Sequence, residues 1–224
     1  MSFLDLSSFS GTAKNFARFI LFIIIIVIFS KIIILGKDFL VSKNFLKVNI
    51  DKKEILINNL SFDYKVVDVI DGDTIKIKRL DGGKIEGKDK IIVRLIGINT
   101  PEVVDPRRPV ECFGKEASKY MKSIAEGKVA ALEFDLSQDK FDKYDRLLAY
   151  VFIKESGIYP NNVLFLNEKM IKEGYAYEYT YNIPYKYQIE FKDLERWSRK
   201  YEVGLWAANT CNGLKTPISS PPEM

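Results

Sequence analysis

The sequence contains no histidine and only two cysteines, Cys112 and Cys211, in 224 residues. The absence of histidine excludes imidazole bases, Ser-His-Asp triads and histidine-ligated zinc. Two cysteines are also too few for a four-ligand structural zinc site. If the protein is a hydrolase, its chemistry therefore depends on carboxylates, arginines and a hard metal ion.

The net positive charge is small and is confined to the first 60 residues, so it does not predict a polyanionic partner for the rest of the chain. The chain has 34 Lys/Arg and 30 Asp/Glu; residues 1–60 carry eight of the basic and four of the acidic residues, which leaves 26 of each for residues 61–224. That larger part is neutral, so any attraction to nucleic acid must come from locally clustered bases.

Residues 19–35 form an almost unbroken apolar run, interrupted only by Ser30 and Lys31. Lys14 and Arg18 precede it as in an export signal, but no small-x-small cleavage site follows. We therefore expect a single-pass transmembrane helix or uncleaved signal anchor, with the following domain outside the cytoplasm. A protein secreted after signal cleavage is the alternative, and the lysines that follow the run leave the orientation open.

The predicted organisation is a short tail (1–18), the anchor (19–35), a linker (36–62), one folded domain (63–208) and a C-terminal tail (209–224). Within the domain, hydrophobic periodicity predicts five strands and three helices. In chain order these are strands 65–70, 74–78 and 91–98, helix 116–126, strands 129–134 and 147–153, helix 166–172, and a last helix between Pro184 and Gly204. Five strands with a helix inserted after the third predict an α+β protein, an OB-fold β-barrel with three helices.

Two segments combine polar side chains with strand ends: Asp71-Gly-Asp73-Thr and Arg94-Leu-Ile-Gly-Ile-Asn99-Thr-Pro-Glu102. Each alone is compatible with an ordinary turn, since Asp-Gly favours hairpins and proline ends a strand. The combination is more informative, because an arginine inside an apolar strand needs an anionic partner. We expect these carboxylates to supply one.

A third charged segment, DKFDKYDR at 139–146, precedes a strand. Such a run is usually a solvated loop. Together with the first two segments, however, it completes a set of carboxylates and arginines suited to metal-assisted phosphodiester hydrolysis.

The motifs DGDT, RLIGINTPE, GKEA, DKYDRLLAYV, NEKMIKEGYA and a final GLW occur in an order that resembles the staphylococcal thermonuclease family. The resemblance covers roughly Lys65 to Trp206. It implies an OB-fold barrel and calcium-dependent cleavage of DNA and RNA, with one calcium ion per site.

The resemblance also implies a role for each matching residue. Asp73 and Asn99 would bind calcium through their side chains and Thr100 through its backbone carbonyl, with Asp71 behind them. Glu102 would be the base that activates water, and Arg94 and Arg146 would hold the scissile phosphate. Lys143 and Tyr144 would bind a terminal or neighbouring phosphate.

Two positions depart from the family pattern. Asn99 stands where the founding enzyme has aspartate, and the missing charge should weaken calcium binding or alter metal preference. Asp145 replaces the usual glycine, although aspartate tolerates left-handed backbone better than most residues.

Six tyrosines lie between residues 175 and 187. Most are expected to be half-buried between the barrel and the last helix, but the family places a base-stacking tyrosine here, and we assign Tyr181 in preference to Tyr179. The loop 103–110, with Arg107 and Arg108, is either a flap facing substrate or plain surface.

An active nuclease is favoured over a non-catalytic OB-fold module that binds nucleic acid or protein, because Asp73, Glu102, Arg94 and Arg146 are all present. No protein partner is inferred. If the domain is exported, Cys112 and Cys211 are expected to pair; in a domain facing the cytoplasm they would be free thiols.

Overall fold

The computed structural model describes residues 57, 59–103, 109–155 and 163–215. The predicted anchor at 19–35 and the centre of the 103–110 loop lie outside these ranges. Within them, no helix combines the length and apolar character needed to cross a membrane.

Five strands close into a barrel. They are β1 (Tyr64–Asp71), β2 (Thr74–Arg79), β3 (Ile91–Leu95), β5 (Val129–Glu133) and β6 (Leu147–Lys154). Antiparallel pairing joins β3–β2–β1–β5–β6, and parallel pairing of β3 with β6 closes the ring. Closure leaves no unpaired edge between these strands. The prediction of a five-stranded barrel with three helices is confirmed.

Apolar and polar residues alternate along β2, so that its apolar side chains face the interior of the barrel and its polar ones face outward. In β2, Ile75 and Ile77 are fully buried, whereas Lys78 is exposed. β6 is apolar on both faces, and the helix Leu166–Lys172 packs against it. Strand β7 (Val163–Phe165) pairs with the end of β6 and extends the sheet there. Burial on both faces produces a continuous apolar run instead of alternation.

The predicted strand 91–98 is divided in two. β3 ends at Leu95, the chain turns at Ile96-Gly97, and β4 (Ile98–Asn99) pairs with β8 (Tyr177–Glu178) in a separate two-stranded sheet. Gly97 has a φ of 78°, and a Cβ there would lie 2.6 Å from the ring of Tyr185. A glycine in left-handed backbone, with an aromatic ring packed on it, ends the strand.

The three helices are α1 (Gly114–Ala125), α2 (Leu166–Lys172) and α3 (Gln188–Lys200). α1 begins two residues before the predicted start, with Phe113 in left-handed backbone at its N-cap. A 3₁₀ turn, Gly204–Trp206, follows α3. Trp206 is 7% exposed, with the Arg199 guanidinium 4.2 Å from its ring centroid.

Residues 207–215, which we call the C-terminal hook, pack on the domain although the sequence assigned residues from 209 onward to a tail. Cys211 is fully buried and forms a disulfide with Cys112, with Cα atoms 5.9 Å apart. Gly213 N–H donates to the Leu205 carbonyl at 2.9 Å, and Cys112 N–H donates to that of Lys215 at 2.8 Å. The folded domain therefore extends through Lys215.

Candidate active site

The β1–β2 turn and the end of β3 bring a carboxylate and a guanidinium together. Thr74 and Arg94 are register partners across β2 and β3, which places Asp73 beside Arg94. Arg94 Nη2 lies 3.0 Å from Asp73 Oδ2, and the two side chains are 12% and 7% exposed. A nearly buried arginine thus has the anionic partner that its burial requires.

Asp73 is held by more than this ion pair. Its Oδ2 accepts from Thr100 N–H at 2.9 Å, and its Oδ1 accepts from the Thr74 hydroxyl at 2.9 Å. Arg94 in turn donates to the Leu95 carbonyl at 2.6 Å and to Asn99 Oδ1 at 3.3 Å. Asp73, Arg94, Asn99 and Thr100 therefore form one connected cluster at one end of the barrel.

Asp71 adds a second carboxylate to this cluster. Its Oδ1 accepts from Asp73 N–H at 3.1 Å. The pKa of Asp71 is raised to about 7; burial is the largest contribution and the negative charge of Asp73 is the second. Two carboxylates in a poorly solvated position are a repulsive arrangement that a cation would relieve.

The donor set fits a hard cation. Within the described ranges no three His, Cys, Asp or Glu side chains come together as metal ligands. The oxygens at hand are the Asp73 carboxylate, the Asn99 amide and the Thr100 backbone carbonyl, with the Asp71 carboxylate behind them, a mixture that calcium accepts. These residues would hold the ion if it binds here.

Glu102 follows the cluster, directly after Pro101, in a segment without regular secondary structure. Its Oε1 accepts from Val103 N–H at 3.0 Å. Its own backbone N–H donates to Glu111 Oε2 at 3.0 Å, and its carbonyl accepts from Glu111 N–H at 2.9 Å. Glu111, which the sequence analysis did not single out, therefore fixes the backbone that carries Glu102.

Arg146 has an acidic partner of its own. Its Nε and Nη2 each lie 2.6 Å from Asp142 Oδ2, and its N–H donates to Asp142 Oδ1 at 3.0 Å. Burial alone would raise the pKa of Asp142, but the hydrogen bonds from Arg146 and Tyr144 and the charge of Arg146 lower it. Arg146 stands just before β6, whose Leu148 is the register partner of Arg94. The sequence analysis did not assign this role to Asp142, although it lies in the same DKYDR motif.

The loop before Arg146 presents exposed side chains. Tyr144 is 67% exposed, and the Lys143 ammonium lies 5.0 Å from its ring centroid. Asp145 adopts left-handed backbone, with φ of 61°, and forms an ion pair with Lys88. The replacement of the family's glycine is thus accommodated by the loop.

The tyrosines between residues 175 and 187 differ in how exposed their rings are. Tyr181 and Tyr179 are 65% and 43% exposed, with ring centroids 6.3 Å apart. Tyr185 is buried, and Tyr187 packs against Phe191. Tyr175 stacks on Tyr120, with centroids 4.0 Å apart. Exposure leaves Tyr179 and Tyr181 as the two accessible rings of this set.

Comparison with known proteins adds independent information. Residues 92–208 match the family described as Staphylococcal nuclease homologue. The chain is similar to a thermonuclease of Staphylococcus hyicus, with 38% identity over 144 residues that cover 64% of this chain and 75% of the relative. A thermonuclease of Staphylococcus intermedius is 36% identical over 143 residues, with 64% and 75% coverage. Endonuclease YncB of Bacillus subtilis is 34% identical over 139 residues, which cover 62% of this chain and 58% of the relative.

Proposed function

Because the chain belongs to the staphylococcal nuclease homologue family, we propose that it is a calcium-dependent nuclease that hydrolyses phosphodiester bonds of DNA, RNA or both. Its relatives are named thermonucleases and endonucleases. The observation that carries the proposal is the nearly buried Asp73–Arg94 pair, joined to Asn99 and Thr100. It places hard oxygen ligands directly beside a guanidinium.

Each residue has a distinct task in this proposal. Asp73, Asn99 and Thr100 would hold a calcium ion, with Asp71 behind them, and such an ion would supply positive charge to a phosphate oxygen. Glu102 takes a proton from the attacking water, since the chain has no histidine to do so. Arg94 and Arg146 donate hydrogen bonds to the phosphate oxygens as negative charge accumulates.

The carboxylate partners of both arginines limit their motion. Asp142 contacts two nitrogens of the Arg146 guanidinium, and Asp73 contacts Arg94. A guanidinium held before the substrate arrives requires less reorganisation during the reaction. Lys143, Tyr144 and Tyr181 are exposed, and the Arg146 guanidinium lies 5.3 Å from the Tyr144 ring centroid. These three side chains are proposed to contact the flanking phosphates and bases.

The test is cleavage by the purified full-length chain of plasmid DNA and single-stranded RNA, with calcium or with excess chelator. We expect cleavage with calcium only. Glu102→Gln, Arg94→Ala and Arg146→Ala should each lower the rate on the order of hundredfold. Arg79→Ala, which removes an arginine paired with the exposed Asp81, is the matched control and should cleave normally.

Undiminished cleavage in chelator would exclude the metal mechanism. Binding of nucleic acid without cleavage would favour the alternative of a non-catalytic OB-fold module. Near-normal rates in all three active-site variants would show that the residue assignments are wrong.

We further propose that residues 19–35 tether the protein to a membrane, with the nuclease domain outside the cytoplasm. The apolar run and the pairing of the two cysteines support this location, since disulfides persist in oxidising compartments. Fractionated cells should retain the protein in a carbonate-resistant membrane pellet. A soluble product beginning after residue 30 would instead indicate secretion after signal cleavage.

A further inference from the structure

Glu111 is a mostly buried carboxylate in an unfavourable place. Its side chain is only 16% exposed, and it contacts the backbone of Glu102. Burying a negative charge costs free energy unless hydrogen bonds or an ion pair compensate. The structure supplies both kinds of compensation, and each joins Glu111 to a different part of the molecule.

On one side, Glu111 fastens the backbone of Glu102. Glu111 Oε2 accepts from Glu102 N–H at 3.0 Å, while Glu111 N–H donates to the Glu102 carbonyl at 2.9 Å. The two hydrogen bonds are reciprocal and join the backbone of Glu102 directly to Glu111. The peptide groups on both sides of the Glu102 Cα are therefore set by Glu111.

On the other side, Glu111 contacts the C-terminal hook. Lys215 Nζ lies 3.7 Å from Glu111 Oε2. The next residue, Cys112, donates its N–H to the Lys215 carbonyl at 2.8 Å and carries the disulfide to Cys211. Three independent links thus join residues 111–112 to the hook.

The start of α1 packs against the segment that carries Glu102. A Cβ at Gly114 would lie 2.8 Å from Val103 Cγ2 and 3.1 Å from the Glu102 carbonyl oxygen. Gly114 N–H also donates to the Glu111 carbonyl at 3.1 Å. Glu102 and Val103 therefore contact the start of α1, and Glu102 also contacts Glu111 in the segment that the hook holds.

We propose that Glu111 is a positioning residue for Glu102, and that the C-terminal hook, through Lys215 and the Cys112–Cys211 disulfide, holds Glu111 in place. The inference rests on the proposed function, in which Glu102 activates water. A base must lie within hydrogen-bond distance of the water it activates, and a displacement of about 1 Å can cost on the order of hundredfold in rate.

Three substitutions at Glu111 distinguish the effect of side-chain length from the effect of the negative charge. Glu111→Gln keeps an oxygen at the same distance without the charge, so it should retain most of kcat. Glu111→Asp keeps the charge but withdraws it by one methylene, so it should lose kcat on the order of tenfold or more, as should Glu111→Ala. KM should change little in all three, because substrate contacts lie elsewhere. Glu126→Ala, at the far end of α1, is the matched control and should cleave normally.

The decisive comparison combines each variant with Glu102→Gln. If Glu111 acts through Glu102, then Glu111→Ala will slow the wild-type enzyme but will not slow Glu102→Gln further. Equal slowing in both backgrounds would overturn the inference, as would full activity of Glu111→Asp with loss in Glu111→Gln. Circular dichroism and urea unfolding establish the folded fraction; should Glu111→Ala not fold, the Gln and Asp variants make the same comparison.

The role of the hook is tested with Cys112→Ala/Cys211→Ala. We expect a folded protein with reduced kcat, again without further loss in the Glu102→Gln background. A folded variant that cleaves at the wild-type rate would overturn the role of the hook. If the wild-type protein shows no metal-dependent cleavage, the proposed function fails and this inference with it; if only Glu111 variants behave normally, the inference alone fails.

Discussion

At the scale of single residues, Asn99 decides how much negative charge surrounds the proposed calcium site. Its amide oxygen accepts from Arg94 Nη2 at 3.3 Å and lies in the cluster that contains Asp73. An amide binds calcium as a neutral dipole, whereas a carboxylate adds a full charge. The site therefore has the donor atoms of a calcium site with less charge than the founding enzyme's pattern provides.

Asn99→Asp should lower the calcium concentration needed for half-maximal activity severalfold, because affinity rises with the number of charged ligands. Calcium titration of the cleavage rate measures this directly. Asn99→Ala is the control and should raise the requirement. An unchanged or raised requirement in Asn99→Asp would show that Asn99 does not contact the ion.

The sequence predicted the contact partners of some residues but not of others. An arginine in an apolar strand requires an acid, so Arg94 pointed to the carboxylates of the β1–β2 turn, and Asp73 is the one it meets. Arg146 carried no such requirement, because it lies in a charged loop that also contains Asp139, Asp142 and Asp145. Only the folded loop distinguishes Asp142, and periodicity likewise does not encode the contact of Glu111 with the Glu102 backbone.

At the scale of elements, one carboxylate joins the chain after β5 to the chain before α3. Asp135 Oδ2 accepts from the Tyr150 hydroxyl at 2.7 Å and from Lys186 N–H at 2.8 Å, while Oδ1 accepts from Ser137. Burial opposes ionisation of Asp135, but these hydrogen bonds outweigh it and lower its pKa. The ionised form is thus the one that the folded state prefers.

Asp135→Asn should lower the free energy of unfolding by about 1–2 kcal/mol at neutral pH. Because the folded pKa is lowered, this stabilisation is present above the unfolded pKa of about 3.9 and is lost as pH falls through the folded value. Urea unfolding of both proteins should therefore give a difference near pH 7 that shrinks as the pH falls below the unfolded pKa of about 3.9. The exposed Asp193→Asn serves as control; a difference independent of pH would contradict the argument.

Elements with a full apolar pattern were predictable, and the two-residue strands were not. Helix 166–172 and the strands of the barrel follow from apolar spacing alone. β8 has only two residues and pairs with a β4 that continues the apolar pattern of β3, so no periodicity separates them. Their existence depends on the turn at Gly97 and on the aromatic rings of Tyr185 and Phe191 packed against it.

At the scale of the whole molecule, the disulfide closes a long loop, with 99 residues of sequence separation. The chain-entropy treatment assigns about 4.7 kcal/mol to such a loop, and measured values are usually lower. Replacing both cysteines by alanine should therefore lower the free energy of unfolding by about 2–4 kcal/mol, as measured by urea denaturation.

Alkylation followed by intact mass tests the bridge in the native protein. Protein purified from its own envelope should take up no alkyl groups before reduction and two after it. Two free thiols before reduction would remove both the bridge and a main support for export.

The buried Trp206 makes the hook optically distinguishable from the rest of the domain. The chain has two tryptophans, and Trp197 on α3 is 43% exposed whereas Trp206 is 7% exposed. Iodide, which does not enter the protein interior, should quench the emission of Trp197 and spare the bluer emission of Trp206. Because Gly213 of the hook lies directly against the Trp206 indole, detachment of the hook should make the second component quenchable while the barrel remains folded. The protein therefore carries an intrinsic fluorescent reporter of hook attachment, which Trp197→Phe would isolate.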